Sequence, residues 1–288
     1  MSIDKLHDKI RKMKNPSMLD LTVPFDAIPE HIQQGSRAEN YAVFCRELMN
    51  GLKDTVPAVR FHFNAFALMG AQGLDTLSAL LKEAQKLGYY VLLDAPGILT
   101  PEDAQMTADT IFGGEDYPCD GLLISPYIGS DAIKPFIPYC KQDKDLFVVA
   151  RSANKTALEL QDLMTGSRLV HTAAMDIVSR HGENIFGKNS YSRVCAAVSA
   201  GAPNSIRAIR NGYKFTYLLV DGLEYPSGNY KNCSLAFDRF GYGAVVCAGT
   251  SITAAWKENG TDGTDFVAQA VEAADRMKKN LTRYVTIL

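Results

Sequence analysis

Asp94 closes the apolar run Tyr89-Tyr90-Val91-Leu92-Leu93-Asp94, and Arg60 and His62 alternate inside another run spanning residues 58–63. Side chains two apart in an extended strand share a face, so Arg60 and His62 point the same way. A guanidinium fixed near a carboxylate makes a rigid pair that can bind an anion or orient a ligand. Asp20 and Thr22 repeat the two-residue spacing at the end of a third run. A carboxylate among apolar neighbours must find a cation, and Arg60 is the natural candidate. Ser125, Asp221 and Thr250 follow further apolar runs and join Thr22 and His62 as candidate ligand contacts. Asp94, Asp221 and Glu224 also suggest a second chemistry, in which oxygen ligands hold a divalent metal for a lyase or isomerase acting on a small oxygenated substrate. The preferred reading needs neither metal nor cofactor.

Other reactive side chains read as structural. The cysteines Cys45, Cys119, Cys140, Cys195, Cys233 and Cys247 form no close pair, which argues against a disulfide framework or a zinc site. Cys195 and Cys247 lie in apolar runs and read as small buried side chains rather than nucleophiles. His171 and His181 have no metal-site spacing and read as surface or interface residues. Gly113, Gly114, Gly201, Gly241 and Gly243 read as turn glycines, and no Gly-rich phosphate fingerprint appears.

The elements that must position these residues form a regular series. Short β-branched apolar runs at residues 18–21, 58–63, 89–94, 121–124, 146–150, 194–198, 215–220 and 243–247 alternate with helical patterns, the signature of parallel strands joined by crossover helices. One helix over residues 73–87 sets Leu74, Leu77, Leu80, Leu81 and Leu87 on a stripe and stops at Gly88. Another opens at Thr100-Pro101-Glu102-Asp103 and runs to about Phe112. Asp131, Asn154 and Asn204 are expected as helix caps, and a last helix covers residues 265–283. Eight such units predict a single TIM (β/α)8 barrel over residues 1–288, preceded by an amphipathic helix over residues 1–14 through Ile3, Leu6, Ile10 and Met13. Between the fifth and sixth runs the chain is long, with a strand-like stretch at 169–173 and a helix-like stretch at 177–181, and an insertion is expected at about 164–190.

Formal net charge is −2 and the basic residues are scattered, so the electrostatic footprint of a nucleic-acid binder is missing. A small-molecule partner is expected. No apolar signal core or membrane-spanning run occurs, which predicts no membrane partner and a cytoplasmic protein.

Six short motifs then fall in one order: Asn15-Pro16-Ser17, Ala58-Val59-Arg60-Phe61-His62, Leu93-Asp94-Ala95, Ser125-Pro126-Tyr127-Ile128-Gly129, Arg151-Ser152-Ala153-Asn154 and Ala236-Phe237-Asp238. In that order they resemble the longer, bacterial-type orotidine 5′-phosphate decarboxylases, from about Asp4 to Asn259. The resemblance implies a barrel with its site at the carboxyl ends of the strands, a nucleotide or sugar-phosphate ligand, a role in pyrimidine biosynthesis and a homodimer. It also implies a catalytic Asp-x-Lys-x-x-Asp after the third strand, where an ammonium protonates the carbanion-like centre left by CO₂.

This chain departs from that pattern at the chemistry. Its motif reads Asp94-Ala95-Pro96-Gly97-Ile98-Leu99, so Pro96 and Leu99 stand where the resemblance implies the lysine and the second aspartate. Neither side chain can donate a proton or carry charge. Thr22 replaces an implied aspartate, Arg60 an implied lysine, Ala153 a serine that would touch the pyrimidine, and Thr250 a phosphate-binding arginine. Backbone NH groups at the start of the helix that follows the eighth strand are left as possible anion ligands. The expectation is a barrel with weak or no decarboxylase activity and Asp94 and Arg60 as its remnant catalytic pair. Decarboxylation by another route would need Lys53, Lys155 or a partner's lysine to reach the site.

Overall fold

The computed structural model describes residues 2–288. Eight strands, β1 (Ser17–Asp20), β2 (Ala58–His62), β3 (Tyr90–Asp94), β4 (Gly121–Ile124), β5 (Asp145–Val149), β6 (Ser192–Ser199), β7 (Thr216–Asp221) and β8 (Ala244–Ala248), close into one parallel barrel in which β1 pairs with both β2 and β8. Each falls within two residues of the run that predicts it. The strands are buried on both faces, which is why they read as nearly continuous apolar runs rather than alternating ones.

Helices cover the outside. Ala71–Lys86 buries Leu77, Leu80 and Leu81 and stops where Gly88 takes a positive φ of 85°. Pro101–Thr107 starts on a capping box in which Thr100 Oγ1 accepts from the Asp103 amide while the Asp103 carboxylate accepts from the Thr100 amide. Phe266–Thr282 is the last helix. Ser2–Met13 buries Ile3, Leu6 and Ile10, and ties to the amino ends of the strands through Lys5 and Asp120, 2.8 Å apart. No helix among the described residues is long and apolar enough to cross a membrane.

Several expectations about caps and the long connection are corrected. Asp131 lies inside the 3-10 turn Gly129–Ala132, and Asn204 lies inside Pro203–Gly212, whose N-cap is Ala202. Asn154 does precede the 3-10 turn Lys155–Glu159, but its side chain makes no capping bond. The stretch at 169–173 is not a barrel-length strand: Leu169 ends a small hairpin of Met164–Thr165 and Arg168–Leu169, and one helix, Val170–Gly182, takes the rest of it together with the helix-like stretch. This helix packs on β6 and buries His171, Ala174, Met175 and Val178, so tertiary burial overrides the local strand preference of its start. His171 on this helix is buried rather than at the surface, with Nδ1 at 3.0 Å from the Gln161 carbonyl and 3.2 Å from Asp162.

Candidate active site at the barrel mouth

Register sets the site. Asp20 of β1 pairs with Arg60 of β2, and His62 of β2 with Asp94 of β3, so a carboxylate flanks each of the two basic side chains at the carboxyl end of the barrel. Asp221 closes β7 on the far wall.

Arg60 is 5% exposed and sits at the centre of this group. Its Nε and Nη2 donate to Asp94 Oδ1 and Oδ2 at 2.7 and 2.6 Å, and Nη1 donates to Asp221 Oδ2 at 2.9 Å. Burial alone would lower the guanidinium pKa, but the charges of Asp94 and Asp221 outweigh it and the pKa rises further above its usual value. Arg60 is therefore a permanent cation already shared between two carboxylates. Cys247 Sγ lies 3.9 Å from Nη1, and burial pushes its thiol pKa well up, so it is no nucleophile.

Asp20 takes a different partner from the one expected. Its Oδ2 lies 2.8 Å from His62 Nε2 and 3.8 Å from Arg60 Nη1, so the histidine is its principal partner. Asp20 Oδ1 accepts from the Thr22 amide at 2.8 Å, and Thr22 Oγ1 accepts from the His62 amide at 2.9 Å. Thr22 thus braces the Asp20 side chain and the His62 main chain instead of lining the cavity. Burial pulls the His62 pKa down, but the hydrogen bond and charge of Asp20, with Asp94 at 3.6 Å, outweigh it and the pKa is raised. Asp20 is lowered by the same contact despite its own burial.

A cavity of about 480 Å³ opens above these groups, lined by Asp20, Arg60, His62, Asp221, Glu224 and Thr250 on one side and Ser152, Asn154 and Tyr225 on the other. Ser152, Asn154 and Tyr225 were not singled out as ligand contacts, because nothing in the sequence shows which loops fold over the mouth. Glu224 carries a specific consequence. Its carboxylate accepts from the amides of Gly249 and Ser251 at 2.9 and 2.5 Å, so the backbone donors left as possible anion ligands are already occupied. Its anionic charge and that of Asp221 face the same cavity and oppose a phosphate dianion.

The other expected contacts separate from the mouth. Ser125 Oγ accepts from the Tyr127 amide, and neither it nor Pro96 lines the cavity. Leu99 is 80% exposed. Lys53 is the C-cap of the helix that returns the chain to the start of β2, at the opposite end of the barrel. Lys155 lines an adjoining cavity with Tyr225 and Leu158 but not this one. The carboxylate cluster expected to hold a metal does not form, since Asp94 and Asp221 turn onto Arg60 and Glu224 onto backbone amides. Among the described residues no group of three or more His, Cys, Asp or Glu is arranged to hold a metal ion. A larger cavity, about 860 Å³, lies at the other end of the barrel between His7, Tyr191, Arg210 and Tyr242. The guanidinium of Arg210 is taken up there by the carbonyls of Ala236, Lys214, Thr216 and Gly243, which makes it a structural tie.

No protein-family model matches the chain. Curated relatives do: it is 28% identical over 289 residues to an orotidine 5′-phosphate decarboxylase of Clostridium acetobutylicum, covering 98% of this chain and 100% of that one. It is 26% identical over 250 residues to one of Rhodopirellula baltica, covering 84% and 82%. Among solved structures, the orotidine monophosphate decarboxylase of Leishmania donovani superposes with a TM-score of 0.75 at 22% identity, over 97% of this chain and 100% of that one. The resemblance carried by six short motifs is thus a likeness along nearly the whole chain, in sequence to the curated relatives and in fold to the solved structure.

Proposed function

Starting from this whole-chain likeness to orotidine 5′-phosphate decarboxylases, we propose that the protein has kept the relatives' barrel and lost their reaction. It binds a small unphosphorylated molecule at the mouth. One observation carries the reading: the cation at the strand ends is a guanidinium locked bidentately on Asp94, with Pro96 where an ammonium is expected. Expulsion of CO₂ from an unactivated ring leaves charge that must be protonated as it forms. An arginine with a pKa above about 12 does not release that proton at neutral pH. No lysine is among the residues lining the cavity.

The phosphate side supports the same reading. Thr250 offers a hydroxyl in place of an arginine, and Glu224 fills the neighbouring amides with its own carboxylate. A homodimer is proposed from the likeness to decarboxylases, and size measurement in solution checks it. The functional test is a spectrophotometric assay with orotidine 5′-phosphate at high enzyme concentration, alongside thermal-shift titrations with orotidine 5′-phosphate, uridine 5′-phosphate and ribose 5-phosphate. No turnover and no stabilisation are expected. Robust turnover that disappears in Asp94→Ala overturns the reading, and stabilisation by all three phosphates overturns its unphosphorylated ligand.

A further inference from the structure

We propose that His62, aligned by Asp20, transfers a proton to and from a small hydroxycarbonyl compound bound in the barrel-mouth cavity. The proposal rests on the loss of decarboxylation and names the chemistry that replaces it.

The geometry is that of a base with a fixed orientation. The Asp20 carboxylate lies 2.8 Å from His62 Nε2, which settles the hydrogen on that nitrogen in the neutral ring and leaves Nδ1 as the basic one. Nδ1 makes no hydrogen bond within the described residues, and the His62 side chain, 33% exposed, lines the cavity. The Thr22 amide fixes the Asp20 carboxylate and the Thr22 hydroxyl accepts from the His62 main-chain amide, so the carboxylate that orients the ring and the strand that carries it are both held before any ligand arrives. Around it stand Asp94 on β3 at 3.6 Å from Nε2, Arg60 on the same strand, Asp221 on β7 and Glu224 in the loop after it. Arg60 is paired with Asp94 and Asp221, so its charge does not cancel the pull of Asp20 on the ring.

The surroundings select the reaction. Every cysteine is buried, and the cavity hydroxyls of Ser152 and Thr250 engage Asn154, Gln161 and Glu224 rather than His62, so no nucleophile is coupled to the imidazole. A lone oriented base serves a proton shift on carbon better than acyl or phosphoryl transfer. Nδ1 removes a proton from the carbon next to a carbonyl. The C–H electron pair forms a C=C bond as the carbonyl π pair moves onto oxygen. The imidazolium then returns a proton to carbon, and the carbonyl re-forms. No electrons leave the substrate, so no oxidant or cofactor is called for. Asn154, Ser152 and Thr250 give the cavity the neutral hydrogen-bonding groups that a compound with several hydroxyls uses.

The test is proton exchange in D₂O, followed by loss of α-proton NMR signals from hydroxyacetone, dihydroxyacetone, glyceraldehyde and erythrulose. Wild-type protein is expected to exchange at least one of them well above the buffer rate. His62→Gln is expected to lose that rate at least tenfold, and Asp20→Asn to shift the pH midpoint of exchange downward, which a purely structural role for Asp20 leaves in place. Exchange of none of the four, or equal exchange by His62→Gln, overturns the proposal. Nitrogen NMR of the His62 ring in wild-type protein gives an independent readout should a variant fail to fold. Hydrogen on Nε2 in the neutral form supports the proposal, and hydrogen on Nδ1 overturns it. Turnover of orotidine 5′-phosphate in a parallel assay overturns instead the loss of decarboxylation on which the proposal rests.

Discussion

Arg60 and Asp94 meet across β2 and β3 through two parallel hydrogen bonds of 2.7 and 2.6 Å. Both ends of the fork are filled, and the third guanidinium nitrogen turns to Asp221 at 2.9 Å. The pair therefore fixes three strand ends around a buried charge and commits each of the three guanidinium nitrogens to a carboxylate.

Removing one partner of such a pair strands the others. Arg60→Met is expected to destabilise the fold by about 3 kcal/mol, because the mostly buried Asp94 loses its cation, while Asp221, whose side chain is 39% exposed, adds little. Urea unfolding monitored by circular dichroism checks this. A change of less than about 1 kcal/mol would show that the pair behaves as a solvated surface bridge.

Asp145, fully buried at the amino end of β5, accepts from the Tyr90 hydroxyl at 2.8 Å. Burial raises its pKa to about 7, against the lowering effect of its hydrogen bonds. An acid raised in this way contributes stability that is complete below its unfolded value near 3.8 and is lost as pH climbs to about 7. Asp145→Asn keeps an acceptor for Tyr90 and cannot ionise. The difference in unfolding free energy between the variant and wild type should grow in the variant's favour from pH 4 to pH 7 and level off above that, reaching no more than about 4 kcal/mol. A difference that stays flat across this range refutes the assignment.

Glu224 ties the loop after β7 to the start of the short helix Thr250–Thr253 that follows β8, through the Gly249 and Ser251 amides. Glu224→Ala should speed hydrogen exchange at those two amides several-fold while leaving the β8 amides unchanged. Equal protection in both proteins would mean that the carboxylate is not their partner in solution.

All six cysteines are free and buried. Burial raises the thiol pKa of each one, to about 12 for Cys119 and Cys233. Ellman's reagent is therefore expected to find no fast-reacting thiol in the native protein and six after denaturation. A thiol that reacts within seconds in native buffer would contradict this burial.

The sequence by itself determined the barrel strands and the inward face of most site residues. Apolar runs of strand length, punctuated by caps such as Thr100-Pro101, carry the (β/α)8 pattern directly, and two-residue spacing puts Arg60 and His62 on one side of β2. It also puts Pro96 and Leu99 two and five residues after Asp94, the positions where the resemblance implies a lysine and an aspartate, and the lack of a titratable group there needs no coordinates to be seen. Tertiary structure alone decided which charges meet. Asp20 is in register with Arg60 yet bonds His62, because side-chain reach across adjacent strands depends on closure and tilt of the barrel that no local pattern encodes. Glu224 shows the same limit. Its contact with Gly249 and Ser251 joins residues about a full crossover apart, and only the folding of two loops over one mouth brings a carboxylate to those amides. Local propensity is written in neighbouring residues, whereas the chemistry of this site arises from neighbours in space.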